Sequence, residues 1–129
     1  MIYTADTHSI IWFLTKDRKL GNEALKAFRS ADEGKSLVII PSIVLAEIIY
    51  IIEFKGVHIQ FSDITKKFEE SMNYIVYNLN LEVLMEMEKY KKLKDIHDRI
   101  IVATANICKS KLIGNDSEIN KSGYVETVW

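Results

Sequence analysis

Four acidic residues far apart in the chain, Asp6, Glu47, Asp98 and Asp116, are placed where they could meet. Asp6, Glu47 and Asp116 each follow, closely or within two turns, an apolar run that reads as a strand. Carboxylates with no equally spaced His or Cys suit a hard divalent cation, and a small set of protein ligands suits Mg²⁺ or Mn²⁺, which keep several waters. The chemistry such a site supports is metal-assisted phosphodiester hydrolysis, in which the ion activates a water and neutralises charge in the transition state. The densest stretch is Asp95-Ile96-His97-Asp98-Arg99-Ile100-Ile101-Val102-Ala103-Thr104-Ala105. Read as a helix, it has Asp95 as N-cap and Asp98 in the first turn, where free backbone N–H groups favour negative charge. Capping alone would explain that pair; the other acids would not be explained.

Positioning these residues requires alternating strands and helices. Met1 to Ala5 reads as a buried strand turned by Asp6-Thr7-His8-Ser9 into a helix carrying Ile10 to Leu14. Asp6 taken alone is an ordinary N-cap, and His8 a packing or surface residue. A helix from about Glu23 to Ala31 and a strand over Ser36 to Ile40 follow, with Pro41 ending the strand and pre-setting the next helix. That helix is apolar nearly all round from Ile43 to Ile52, so one face is expected on the sheet and another against a partner, a second copy or a bound peptide. Glu47 lies inside it, and a buried carboxylate there needs a metal cation or an ion pair with Lys or Arg.

Beyond the loop at Lys55 to Gln60, the pattern predicts a helix from Ser62 and Asp63 through about Tyr74 with Ile64, Phe68 and Met72 on one face. A short strand over Tyr74 to Leu79 follows, then a helix over Leu81 to Leu93 whose methionines read as core. The basic run Lys89-Tyr90-Lys91-Lys92-Leu93-Lys94 has two readings, a phosphate-contacting rim beside an acidic site or a solvated helix end. Lys111 to Gly114 is another strand, and Asn115 with Glu118 forms a candidate capping box that leaves Asp116 free for another role. Tyr124 to Trp129 reads as a terminal strand. The whole is an α/β chain with a central parallel sheet flanked by helices on both faces, and such sheets bind ligands beyond the carboxyl ends of their strands.

Composition bounds the rest. The 129 residues, 48% hydrophobic, suit one domain with a proper core. A net charge of −1 gives no whole-chain attraction to a polyanion, so nucleic acid would have to be held locally. The single Cys108 excludes an intramolecular disulfide and suits a reducing compartment. The longest apolar run, Ile43 to Ile52, falls short of the roughly 20 residues of a membrane span, so a cytoplasmic protein without membrane attachment is expected.

Asp6-Thr7-His8 after a strand, Ser42 with Glu47 five residues on, Asp98-Arg99 followed by Ile101, Ala103 and Ala105, and Asp116 before a tail ending in Trp resemble a PIN-domain ribonuclease, the VapC-type toxin of a toxin–antitoxin pair. The resemblance spans nearly the whole chain. It implies a PIN-like fold and a Mg²⁺- or Mn²⁺-dependent endoribonuclease with Asp6, Glu47, Asp98 and Asp116 as catalytic and metal-binding acids. Asp95 and Thr7 would be accessory, and Lys91, Lys92 and Arg99 would contact RNA. It also implies a homodimer and inhibition by a cognate antitoxin, with the apolar Ile43 to Ile52 helix as a surface for either. Gly114 departs from the pattern, standing where the family usually has Ser or Thr, and Ile96 and His97 stand where Pro and Phe are common. The competing reading is a catalytically silent PIN-like module that binds RNA or a partner. A haloacid-dehalogenase-like phosphatase would want a second Asp at position 8, and a receiver-like domain would want paired acids after its first strand; neither fits.

Overall fold

The computed structural model describes residues 1–129. Its strands are β1 (Ile2–Ala5), β2 (Leu37–Pro41), β3 (Tyr74–Tyr77), β4 (Lys111–Ile113) and β5 (Thr127–Val128). All neighbouring pairs are parallel, in the order β3-β2-β1-β4-β5. Seven helices intervene: α1 (Thr7–Leu14), α2 (Asn22–Asp32), α3 (Ser42–Phe54), α4 (Phe61–Glu70), α5 (Leu81–Glu86), α6 (Ile96–Ile107) and α7 (Ser117–Ser122).

Side chains alternate faces along a strand. Val38, Ile39 and Ile40 are buried in succession, as are Thr4 with Ala5 and Leu112 with Ile113, so both faces of the central strands are covered. Helix α2 covers the sheet with Ala24, Ala27, Phe28 and Ala31, spaced three and four apart on one stripe. Six consecutive residues of α6, Ile100 to Ala105, are buried, which makes it the most enclosed helix, touching β1, β2 and β4.

Strand order reverses direction at β1: the chain moves from β1 outward through β2 to β3, then returns to place β4 on the other side. The crevice of such a sheet opens at that reversal, outside the carboxyl ends of β1 and β4. Asp6 directly follows β1, and its backbone N–H donates to Ile113 O at 3.1 Å, tying the two strand ends together.

Several elements differ from the sequence reading. Helix α4 stops at Glu70 rather than near Tyr74, and Met72 is left 90% exposed instead of facing inward. The expected helix over Leu81 to Leu93 ends at Glu86, with a 3₁₀ turn over Met87–Lys89. Tertiary anchoring explains the break. Tyr90 and Leu93 are buried, the Tyr90 hydroxyl donates to Glu86 Oε2 at 2.6 Å and accepts from Asn106 Nδ2 at 2.8 Å, and the chain must leave the helix to seat both side chains. Met85 is 67% exposed, so only Met87 of that pair packs on the core. The basic run therefore lies in a turn and loop, not at a helix end. The terminal strand shrinks to Thr127–Val128.

Helix α3 buries Val44 and Ile48, while Tyr50 is 56% and Phe54 68% exposed, their rings tilted together 4.9 Å apart. The second apolar face expected from its sequence is thus open.

Candidate active site

Asp6, Thr7, Glu47, Asp95, Asp98 and Asp116 line one cleft of about 500 Å³ at the switch point of the sheet. Three of the acids, Asp6, Asp95 and Asp116, arrive as helix N-caps. Asp6 caps α1, with Oδ1 accepting from Ser9 N at 2.9 Å. Asp116 caps α7 in the same way, with Oδ1 accepting from Ile119 N at 2.9 Å. That corrects the expected Asn115–Glu118 capping box: Asn115 Oδ1 instead accepts from Asn120 Nδ2 at 3.4 Å. Capping and chemistry do not compete, because a cap engages one carboxylate oxygen and leaves the other. Asp95 caps α6 by accepting from His97 N at 2.8 Å and Asp98 N at 3.2 Å. Asp98, in the first turn of that helix, accepts no such bond and stands over the cleft.

Glu47 reaches the cleft from the middle of α3. No Lys or Arg pairs with it. Its Oε1 accepts from the buried Thr7 hydroxyl at 2.8 Å, and its Oε2 lies 3.8 Å from His97 Nδ1. His97 Nδ1 is also 3.6 Å from Asp95 Oδ1, so this imidazole sits between two acids at the rim.

Asp98 and Asp6 hold their protons more tightly than exposed acids do. Burial and then repulsion from Asp116, Asp95, Glu47 and Asp6 push the Asp98 carboxyl up to about 6, from an ordinary 3.8. Asp6 is also raised, chiefly by burial, with Asp116 adding to the effect and the Ser9 bonds opposing it. These carboxylates share one field.

The donor set is all hard oxygen, which fits Mg²⁺ or Mn²⁺ and not a soft metal. No three His, Cys, Asp or Glu side chains converge closely enough to form a ready-made coordination sphere, however. Asp6, Asp98 and Asp116 are the residues that would hold such an ion.

Gly114 shapes the same spot. It directly follows β4, and a Cβ on it would run into Asp6 Oδ2 and stand 3.0 Å from Asp6 Cγ. The Asp6 carboxylate occupies the space a side chain at 114 would need.

Lys91, Lys92 and Arg99 do not line the cleft. Lys91 and Lys92 are exposed, with Lys92 Nζ 5.6 Å from the centre of the Tyr124 ring. Arg99 Nε and Nη2 donate to the carbonyls of Leu93 and Lys91, fastening the loop that leads into α6. The cation that does line the cleft is Lys19, together with His8, Trp12 and Trp129. The sequence reading gave Lys19, Trp12 and Trp129 no place in the site, using Trp129 only as part of the closing tail. One available signal was the i, i+4 spacing of His8 and Trp12 just after Asp6.

A parallel sheet of this order, flanked by helices on both faces and carrying an acid at the end of β1, after β4 and at the start of α6, defines a PIN-like α/β architecture. The PIN domain family matches residues 3–123, and the chain belongs to that family. A search of curated proteins gives no significant match. Among solved structures, the chain resembles one in VapBC2 of Rickettsia felis bound to a DNA fragment from its promoter (TM-score 0.71, 16% identity, 99% of this chain and 98% of that one). It likewise resembles a chain of a toxin–antitoxin complex from Klebsiella pneumoniae (TM-score 0.65, 21% identity, 98% and 96%). A third is FitAcB of Neisseria gonorrhoeae (TM-score 0.65, 15% identity, 100% and 97%). At these identities the likeness is one of fold.

Proposed function

We propose that this chain is a divalent-metal-dependent endoribonuclease of one domain, the VapC-like toxin of a toxin–antitoxin pair. The observation that carries the reading is that Asp6, Glu47, Asp98 and Asp116 line one cleft at the switch point of a PIN fold, where burial and then the neighbouring acids raise the Asp98 carboxyl. Like charges gathered in one cleft oppose folding unless a cation uses them.

Asp6, Asp98 and Asp116 would hold Mg²⁺ or Mn²⁺, with Glu47 completing the acidic wall. The bound ion would supply an activated water and charge neutralisation at the scissile phosphate. Thr7 orients Glu47 through its hydroxyl, and Asp95 fixes the start of the helix that presents Asp98. Lys91 and Lys92 are candidate phosphate contacts outside the cleft, and Arg99 shapes their loop.

The toxin role draws support from the complexes in which similar folds were solved. The exposed Tyr50 and Phe54 of α3 offer an apolar surface for an antitoxin peptide or a second copy. No helix is long and apolar enough to cross a membrane, and a toxin acting on RNA would work in the cytoplasm. A silent PIN-like module that binds RNA or a partner is the second reading, supported by Gly114 and by acids that do not close into a sphere.

The deciding experiment is cleavage of a mixed RNA pool, and of cellular RNA, with Mn²⁺ or EDTA, beside Asp6→Asn protein purified identically. Cleavage that needs the metal and Asp6 would establish the nuclease. Intact RNA in both pools would leave the silent module.

A further inference from the structure

Besides the acids, the cleft lining holds a second group of side chains, His8, Lys19 and Trp129, gathered around Trp12. We propose that this cluster is a stacking subsite for a nucleobase of single-stranded RNA next to the phosphodiester held by the acids. The proposal deepens the nuclease reading and rests on it for the position of the phosphate.

Three separate segments build the subsite. His8 and Trp12 lie one turn apart on α1, with ring centres 5.4 Å apart and a tilt of 48°. Trp129, just past β5, meets Trp12 edge to face with centres 5.7 Å apart. Lys19, in the loop between α1 and α2, places Nζ 5.7 Å from the centre of the Trp12 ring.

Trp129 is held from behind. Its carbonyl accepts from Glu23 N at 3.3 Å, and its ring carbons Cδ1 and Cγ press on Gly21, where a Cβ would lie 2.7 and 2.8 Å from them. Gly21 is thus the residue that lets the indole sit so close to the start of α2. Both tryptophans of the chain are half-buried, anchored on one side to the core and lining the cleft on the other.

Placement relative to the acids follows from α1. Asp6 caps this helix and Trp12 lies six residues on, about 9 Å along the axis at 1.5 Å per residue. Both side chains line the same cleft, so a phosphate at the acids and a base at Trp12 can belong to neighbouring nucleotides. Planar aromatic faces beside a cation are the chemistry that takes a base of any sequence, and Lys19, the one lysine lining the cleft, would meet the next phosphate. An acidic wall gives a nucleobase no stacking partner, and within the cleft His8, Trp12, Lys19 and Trp129 supply that chemistry.

The test uses the intrinsic fluorescence of the two tryptophans, with Asp98→Asn protein in Mg²⁺ to prevent turnover. A single-stranded RNA hexamer is compared with an abasic ribose-phosphate chain of equal length. Quenching and tighter binding by the base-bearing oligomer alone is expected. Trp12→Leu should weaken that binding on the order of tenfold without changing the abasic titration, and Trp12→Phe should restore most of it. Equal binding of the two oligomers would overturn the proposal without needing any variant to fold. So would a Trp12→Leu loss that is the same for both. If wild-type protein shows no metal-dependent cleavage yet base-specific quenching persists, the nuclease reading fails and the subsite stands. If RNA of neither kind binds, both fail.

Discussion

The Thr7 hydroxyl donates to Glu47 Oε1 at 2.8 Å, joining the first turn of α1 to the middle of α3 across 40 residues of chain. It is the only side-chain hydrogen bond that Glu47 makes, the His97 contact being longer. Thr7→Val keeps the shape and removes the donor, leaving Glu47 free to turn toward solvent. Cleavage should fall about 10–100-fold, as for other residues that orient a metal-site carboxylate. Stability should drop by about 1 kcal/mol. Thr7→Ser should recover both, as read by initial rates and urea denaturation.

Asp98→Asn separates charge from packing. The amide is nearly isosteric with the acid and removes the repulsion that Asp116, Asp95, Glu47 and Asp6 exert on it. Metal-dependent cleavage should vanish, while the melting temperature at neutral pH without metal should rise. A folded variant that still cleaves would remove Asp98 from the reaction.

The raised Asp98 carboxyl also sets a pH dependence. Its folded value of about 6 lies above the ordinary 3.8, so the folded state binds the proton more tightly than the unfolded chain does. Below about pH 4 the group is neutral in both states and costs nothing. As pH rises from about 4 to about 6 the unfolded state ionises first, and stability is lost across that window. A bound divalent cation reverses the preference by favouring the carboxylate, so metal binding releases protons and should strengthen as pH rises through about 6. Thermal melts of wild type and Asp98→Asn at pH 4.5 and 7, with Mn²⁺ or EDTA, isolate the Asp98 share. A Mn²⁺ stabilisation that is equal at both pH values would contradict this linkage.

Gly114 should resist repair toward the family pattern. Asp6 Oδ1 is committed to Ser9 N at 2.9 Å, so the carboxylate cannot swing from a new Cβ without weakening its own cap. Gly114→Ala and Gly114→Ser are both expected to lower Mn²⁺ affinity by roughly tenfold, the usual scale for displacing a ligand's support. The Mn²⁺ dependence of the melting temperature reports this directly. A gain of affinity or activity in Gly114→Ser would instead show that the missing hydroxyl, not the space, matters.

Lys91 and Lys92 are exposed in the loop before Asp95. Replacing both with Ala should weaken RNA binding and flatten its salt dependence, by about 0.7 in log–log slope for each single-strand phosphate that is no longer neutralised. An unchanged slope would make them a solvated loop.

How much of this was legible beforehand differs by residue. The strands at 37–41 and 111–113, the helix carrying Ile100 to Ala105, and the acids at strand ends all follow from local rules: apolar runs, a proline at position 41, and capping acids. The acids Asp6, Glu47, Asp98 and Asp116 do share one cleft, as expected. Spacing along the chain also sufficed to place Asp95 as a cap.

Tertiary structure decided the rest. Periodicity continued a helix through Leu93, but burial of Tyr90 and Leu93 and the Asn106 bond to Tyr90 ended it at Glu86, because packing outweighs the few tenths of a kcal/mol per residue of helix propensity. That change took the lysine run off a helix and turned Arg99 onto backbone carbonyls. Trp129 reaches the acids only because β5 pairs beside β4 and the indole lies against Gly21, which brings it onto Trp12 at the other end of the chain. The conflict between Gly114 and an acid at position 6 has the same origin: β1 and β4 are neighbours in the sheet and strangers in the sequence. Local sequence thus determined which residues are acids, caps and core. Strand pairing and helix packing determined how closely they meet and which other side chains join them, since proximity across a fold leaves no mark on spacing along the chain.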